Sequence, residues 1–380
     1  MNFDLSTEHH LVRESVRAFA ETEIKPIANQ LDKEEQFSIQ LTKQMGNLGL
    51  FGMTTPVEFG GQGLDSLSYI IAVEELARID GSQAATLAAH NSLGIDPILN
   101  YGSEEQKKRL LPKLCTGDYL WAFGLTEPDA GSDSRGTRTT AILNDGYWDI
   151  NGQKVFITNG STEITLGTTV QVVTGKKNEK PEFTTIIVET GTNGFTQRTM
   201  NEKLMWRASN TAELFFDNCK VPEKNILGSK GQGSKIMLST LDGGRLSIAA
   251  MGLGLAQGAM EMAKKYANER KQFDQPISSF QAISFKLADM AIRIDLARTY
   301  LYYTCWLKDT RKPYSKEAAI AKLYCSEIAK EVADEAVQIF GGYGLMKEYN
   351  IERFYRDQRL LQIGEGTSEI LRLVISRHLL

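Results

Sequence analysis

From Ser6 to about Gly117, apolar positions recur three and four residues apart, the spacing of one face of a helix. Polar starts punctuate the pattern: Ser6-Thr-Glu-His opens one amphipathic segment, Ser66-Leu-Ser-Tyr another, and Ser103-Glu-Glu-Gln a third. Phe59-Gly-Gly-Gln-Gly63 reads as a loop between them. The period then falls to two. Short β-branched or aromatic runs at 121–125, 136–143, 147–150, 154–158, 168–173, 183–189 and 212–216 are separated by turn residues, and predict a small β-domain, barrel or sandwich. Asn151-Gly152, between two of these runs, signals a hairpin. Helical spacing returns at 246–270, 280–308, 315–340 and 368–380. Ala249, Gly252, Ala256, Ala259, Ala263 and Ala267 lie in the first of these runs, and small residues let helices approach closely. The pattern predicts a mainly α protein with a central β-domain, divided at 1–119, 120–226 and 227–380.

Composition narrows the class. At 380 residues, 42% hydrophobic, the chain exceeds what one core usually holds, so several domains are expected. Its 43 basic and 47 acidic residues are interspersed, which gives no electrostatic footprint for nucleic acid. Cys115, Cys219, Cys305 and Cys325 are widely spaced and form no Cys-x-x-Cys pair, which argues against structural zinc and a disulfide scaffold. The start lacks a basic region followed by an apolar one, and no apolar run is expected to reach membrane-spanning length. A soluble, cytoplasmic protein with no membrane partner is the expectation.

Several motifs are absent or misleading. Gly252-Leu-Gly-Leu-Ala-Gln-Gly258 has one residue too many for a dinucleotide fingerprint and follows no strand pattern. Neither a P-loop nor a Gly-x-Ser-x-Gly elbow is present. Of the four histidines, His9 and His10 lie near the start and His378 near the end, so a metal site or triad would rest on His90. No metal site is expected.

The chemically suggestive residue is Glu365, in Gln362-Ile-Gly-Glu-Gly-Thr-Ser-Glu-Ile-Leu371. Flanking glycines leave little Cβ crowding around its carboxylate. Thr367 is a plausible N-cap for the following helix, which would place the acid beside free backbone N–H groups. On its own residues the segment reads more readily as a solvated glycine turn, with a functional carboxylate as the minority case.

Five clusters together carry a resemblance: 122–134 (Ala-Phe-Gly-Leu-Thr-Glu-Pro-Asp-Ala-Gly-Ser-Asp-Ser), Phe156-Ile-Thr-Asn-Gly160, Arg270-Lys-Gln-Phe273 with Phe280-Gln281, Gln338-Ile-Phe-Gly-Gly-Tyr-Gly344 and Glu365-Gly-Thr367. In this order and spacing they resemble the acyl-CoA dehydrogenases over essentially the whole chain. The resemblance implies an N-terminal helical domain, a middle β-barrel or sandwich and a C-terminal four-helix bundle, assembled as a homotetramer (a dimer of dimers) around FAD.

By the same resemblance, Phe123, Leu125, Thr126, Gly131, Ser132, Phe156 and Thr158 contact the flavin and its pyrophosphate, with Thr367 and Glu369 on the same cofactor. Phe156 stands where many relatives carry tryptophan. Arg270, Phe273 and Gln281 match positions that reach a neighbouring subunit's FAD, and Gln338, Gly341 and Gly342 match its adenosine side. Ser132, Asp242, Arg245 and Gly366 are the implied contacts to an acyl-CoA thioester.

Glu365 is the implied base for the α proton, with hydride passing to the flavin and electrons onward to an electron-transfer flavoprotein. Desolvation under an acyl chain should raise its pKa. Gly244 occupies the place where isovaleryl-type and long-chain-type relatives put their acid, so the pattern resembles short-chain, butyryl-type and related branched-chain or cyclic enzymes. Ser82-Gln-Ala-Ala-Thr86 offers no arginine for a dicarboxylic substrate. Gly364 replaces a common tyrosine, and Trp206 either anchors the β-domain or has a role of its own. A flavin-dependent acyl-CoA oxidase and a non-catalytic flavin-binding protein are the alternatives on this fold.

Overall fold

The computed structural model describes residues 4–380. The chain opens with α1 (Thr7–Phe19), α2 (Ala28–Glu34), α3 (Ile39–Asn47), α4 (Ser66–Ala77), α5 (Gly81–Ala89), α6 (Asp96–Tyr101) and α7 (Glu104–Leu114). Two of the expected starts are capping boxes: Ser6 exchanges hydrogen bonds with His9, and Ser103 with Gln106. Each satisfies two backbone donors that a helix start would otherwise leave free. The third begins with Asp65, whose Oδ1 accepts from Ser68 N at 2.8 Å.

The middle of the chain forms one eight-stranded sheet from β1 (Leu120–Gly124), β2 (Thr140–Asn144), β3 (Tyr147–Thr158), β4 (Thr165–Lys177), β5 (Lys180–Glu189), β6 (Phe195–Thr199), β7 (Thr211–Pro222) and β8 (Ile226–Leu227). The order is β6-β7-β3-β2-β4-β5-β8, with β1 parallel to β4. Trp148, Ile150, Val170, Val172, Ile186, Leu214 and Phe216 fill its core.

The hairpin expected at Asn151-Gly152 does not form. Both residues lie inside β3, where the register against β7 shifts between Ile150 and Gly152, so the glycine marks a bulge. A Cβ on Gly152, at φ +142°, would sit 2.6 Å from Thr139 Oγ1. The turn between β2 and β3 is instead Asp145-Gly146, at φ +49° and +79°, the left-handed pair a two-residue hairpin loop requires.

The C-terminal part comprises α8 (Gly233–Glu269), α9 (Gln281–Asp309), α10 (Ser315–Phe340), α11 (Ile351–Asp357) and α12 (Ser368–Leu379). The row of small residues on α8 is wholly buried, and a Cβ on Gly252 would lie 2.7 Å from the Cys325 carbonyl on α10. Close helix approach thus explains the Gly-x-Gly pattern. Contrary to the sequence expectation, α8 is long and apolar enough to cross a membrane, but 78% of that stretch is buried inside the protein.

His90 is also internal. Its Nδ1 accepts from Trp121 N at 3.0 Å and its Nε2 bonds the Leu114 carbonyl at 2.8 Å, tying the end of α7 to β1. Trp206 is buried, with its backbone N–H donating to Asp357 Oδ1 of α11 at 2.8 Å, and anchors the sheet to the C-terminal helices.

Candidate active site

Glu365 sits in a left-handed turn, φ +52°, followed by Gly366 at +99°. A non-glycine residue in that region costs on the order of 1–3 kcal/mol and is held there by its surroundings. Two devices hold this one. Thr367 caps α12, its Oγ1 accepting from Ile370 N at 3.2 Å. Lys322 of α10, fully buried, donates from Nζ to the Gly366 carbonyl at 2.7 Å.

The residue retains partial exposure, yet its Oε2 is buried and has no hydrogen-bond partner. A desolvated, unpaired carboxylate oxygen disfavours the charged form. Burial accordingly pushes the Glu365 pKa up to about 7, against the opposing pull of Lys322 and Arg245. That matches a group that takes a proton near neutral pH.

Gly244 of α8 forms the wall facing this oxygen. A Cβ there would collide with Glu365 Oε2 and lie 3.0 Å from Leu93 Cδ2. The absence of a side chain at 244 is therefore what admits the carboxylate. Arg245, buried beside it, pairs with Asp242 at 2.5 Å, and Asp242 also accepts from Ser315 Oγ at 3.1 Å. Gly244→Ala should push the carboxylate aside and slow any reaction in which Glu365 takes a proton by about 10²-fold, the scale expected for an ångström-level misplacement. An unchanged rate in stopped-flow absorbance would show that the carboxylate works elsewhere.

The second expected cluster is a loop between β1 and β2 facing β3. Glu127 is clamped inside it by Lys154 Nζ at 2.7 Å, Arg138 N at 2.7 Å and Thr139 Oγ1 at 2.6 Å. Lys154 also donates to the Leu125 carbonyl at 3.2 Å, and Val155 N to the Thr126 carbonyl at 2.9 Å. Phe123 is buried, Leu125 and Thr126 half-buried, and Gly131 and Ser132 exposed, with open space where a Cβ on Gly131 would point. On β3, Phe156 stands out at φ +61° and 65% exposure, with Thr158 half-buried beyond it. An exposed, left-handed phenylalanine is unusual and offers a ring face to a ligand.

The third cluster gathers at the far end of α8. Arg270 lies over the Tyr343 ring at 5.6 Å, Phe273 meets Phe280 at 5.9 Å and is 87% exposed, and Gln281 begins α9. Gln338, Gly341 and Gly342 are exposed, and a Cβ on either glycine would meet nothing. Along α8, Arg270 stands roughly 39 Å from Gly244, at 1.5 Å per residue. The structure thus brings Glu365, Gly366, Asp242 and Arg245 together and sets Arg270, Phe273, Gln281, Gln338, Gly341 and Gly342 apart from them. Thr367 lies in the Glu365 turn as its cap, and Glu369 is exposed on the first turn of α12.

These groups suit a flavin dinucleotide: an uncovered aromatic ring, hydroxyls at Thr126, Ser132 and Thr158, and glycines and an arginine open to phosphate. Lys322 and the Glu127–Lys154 pair escaped the sequence reading. Their signal was a lysine on the apolar side of α10, among Ala318, Ala321 and Cys325, and a lysine within the buried positions of β3.

Family models describing the acyl-CoA dehydrogenase N-terminal, middle and C-terminal domains match residues 6–118, 122–219 and 231–380. The short-chain specific acyl-CoA dehydrogenase of Clostridium acetobutylicum is 44% identical over 376 residues, covering 99% of each chain. The structure of butyryl-CoA dehydrogenase from Megasphaera elsdenii is similar at a TM-score of 0.96 and 41% identity, covering 100% of both chains. An acyl-CoA dehydrogenase from Bacillus anthracis, solved in complex with FAD, is similar at 0.93 and 36% identity over 99% of this chain and 67% of that one.

Proposed function

Because the chain belongs to the acyl-CoA dehydrogenase family, as an FAD-dependent oxidoreductase of short-chain type, we propose that it desaturates the α and β carbons of a short straight, branched or cyclic acyl-CoA thioester, with Glu365 taking the α proton. The observation that carries this reading is the buried, unpartnered Oε2 of Glu365, kept basic enough to accept a proton at neutral pH. FAD, when bound, accepts the hydride that leaves the β carbon. Thr126, Ser132, Phe156 and Thr158 would hold its flavin side. Glu365's backbone N–H, presented by the strained turn, is the proposed donor to the thioester oxygen, where enolate-like charge develops. Asp242 and Arg245 would bound the thioester's pantetheine side. A panel of acyl-CoA thioesters, mixed anaerobically with the purified protein, should bleach the flavin absorbance most rapidly for the short acyl chains; no bleaching by any of them would refute the proposal.

We further propose three domains divided at 119/120 and 226/227, and electron delivery to an electron-transfer flavoprotein. Reduction of that acceptor without stoichiometric peroxide supports this, whereas peroxide in proportion to product would make the protein an oxidase. The proposed assembly is a homotetramer. The roughly 39 Å between Glu365's neighbourhood and Arg270 leaves each chain with parts of two sites. The exposed α9 residues Phe285, Ile292, Leu296, Tyr303 and Trp306, spaced along one helix face, leave an apolar surface of the kind that subunits cover. Leu296→Asp should yield smaller species in analytical ultracentrifugation; an unchanged tetramer would place the interface elsewhere.

A further inference from the structure

We propose that Lys322 is the positioning residue of this site: a buried ammonium on α10 that holds the Glu365 turn through the Gly366 carbonyl and sets the charge balance of the carboxylate above it. The inference rests on Glu365 being the base, and on an arrangement that needs explaining. A fully buried lysine ordinarily has a carboxylate partner, because an uncompensated internal charge is costly. Among the described residues Lys322 forms no ion pair, and its hydrogen bond goes to a neutral carbonyl at 2.7 Å. That carbonyl belongs to the residue after Glu365, at φ +99°, in the turn that aims the carboxylate at Gly244.

The electrostatic surroundings agree with the geometry. Burial lowers the Lys322 pKa to about 8; Glu365 pulls it back up, Arg245 of α8 lowers it, and Glu327 of α10 and Glu369 of α12 raise it. Tyr69 of α4 also feels Glu365, and burial drives its pKa far up, so it is protonated at neutral pH. Asp242 is occupied by Arg245 and Ser315. Lys322 is therefore the cation whose removal acts on Glu365 from the turn's inner side. A positive charge behind a desolvated carboxylate stabilises its ionised form. Without it, a smaller fraction of the carboxylate would be ionised at neutrality.

Two variants remove the charge, one of them with the tether kept. Lys322→Gln keeps an N–H donor and loses the charge, while Lys322→Met loses both. The readout is the infrared carbonyl band of protonated Glu365, assigned by its disappearance in Glu365→Gln and titrated with or without FAD bound. In both variants its midpoint should rise by about one pH unit. The pH limb of flavin bleaching should rise with it, giving about a five-fold slower reaction at pH 7. A midpoint unmoved in folded Lys322→Gln overturns the proposal. If the midpoint moves and the bleaching limb does not, Lys322 keeps its role and the assignment of Glu365 as the base fails.

Discussion

Glu365→Gln is expected to bind FAD normally and lose flavin bleaching by acyl-CoA by about 10²–10⁴-fold or more, the contribution of a positioned base. The amide has nearly the same shape, so the turn, the Thr367 cap and the Lys322 hydrogen bond can persist. What it cannot do is accept a proton. In the wild type, the bleaching rate should rise with pH through about 7, because a carboxylate acting as the proposed base must be ionised and burial holds the Glu365 pKa there. A variant that bleaches at the wild-type rate would end the assignment.

The same residue makes a second, opposite prediction for stability. Its folded pKa is raised above the ordinary carboxylate value of 4.5, chiefly by burial. Glu365 therefore contributes stability that is fully present below about pH 4.5 and is lost as pH rises through about 7. Glutamine is neutral throughout, so at pH 8 Glu365→Gln should melt above the wild type, while near pH 4 the two should converge. An improved scaffold with lost chemistry is the pattern of a strained functional site.

How much of this was legible in sequence depended on whether a signal was local. The run 315–340 coincides with α10, Ser315–Phe340, because both its ends and its period are encoded nearby. Asn151-Gly152 misled because the same dipeptide serves a hairpin turn or a bulge, and only pairing with β7 and contact with Thr139 decides which. Asp145-Gly146, an equally good local signal, was the actual turn. At the site, Glu365 and its cap could be read from adjacent residues. The meaning of Gly244, Lys322 and Tyr69 could not, because their relation to Glu365 is made by packing across α8, α10 and α4. The resemblance named residues, and the geometry supplies reasons for them, such as the carboxylate occupying the space above Gly244.

Lys154→Met should destabilise the protein by about 3–5 kcal/mol, the scale for orphaning one member of a buried pair. Lys154 is fully buried and Glu127 nearly so. Burial pulls the Glu127 carboxyl upward, but Lys154, Thr139 and the Arg138 N–H outweigh it and hold it below the usual carboxylate range. With the ammonium gone, that carboxylate would remain inside the loop that carries Leu125, Thr126 and Ser132, with only neutral donors. The loop should loosen, so FAD affinity should fall together with thermal stability in urea and melting measurements. Because the remaining defect is an unpaired charge, lowering the pH should reduce the deficit as Glu127 takes up a proton. For the same reason, Lys154→Met combined with Glu127→Gln should be more stable than Lys154→Met alone. A double variant no better than the single one would mean that the lysine stem's packing, and not its charge, holds this loop.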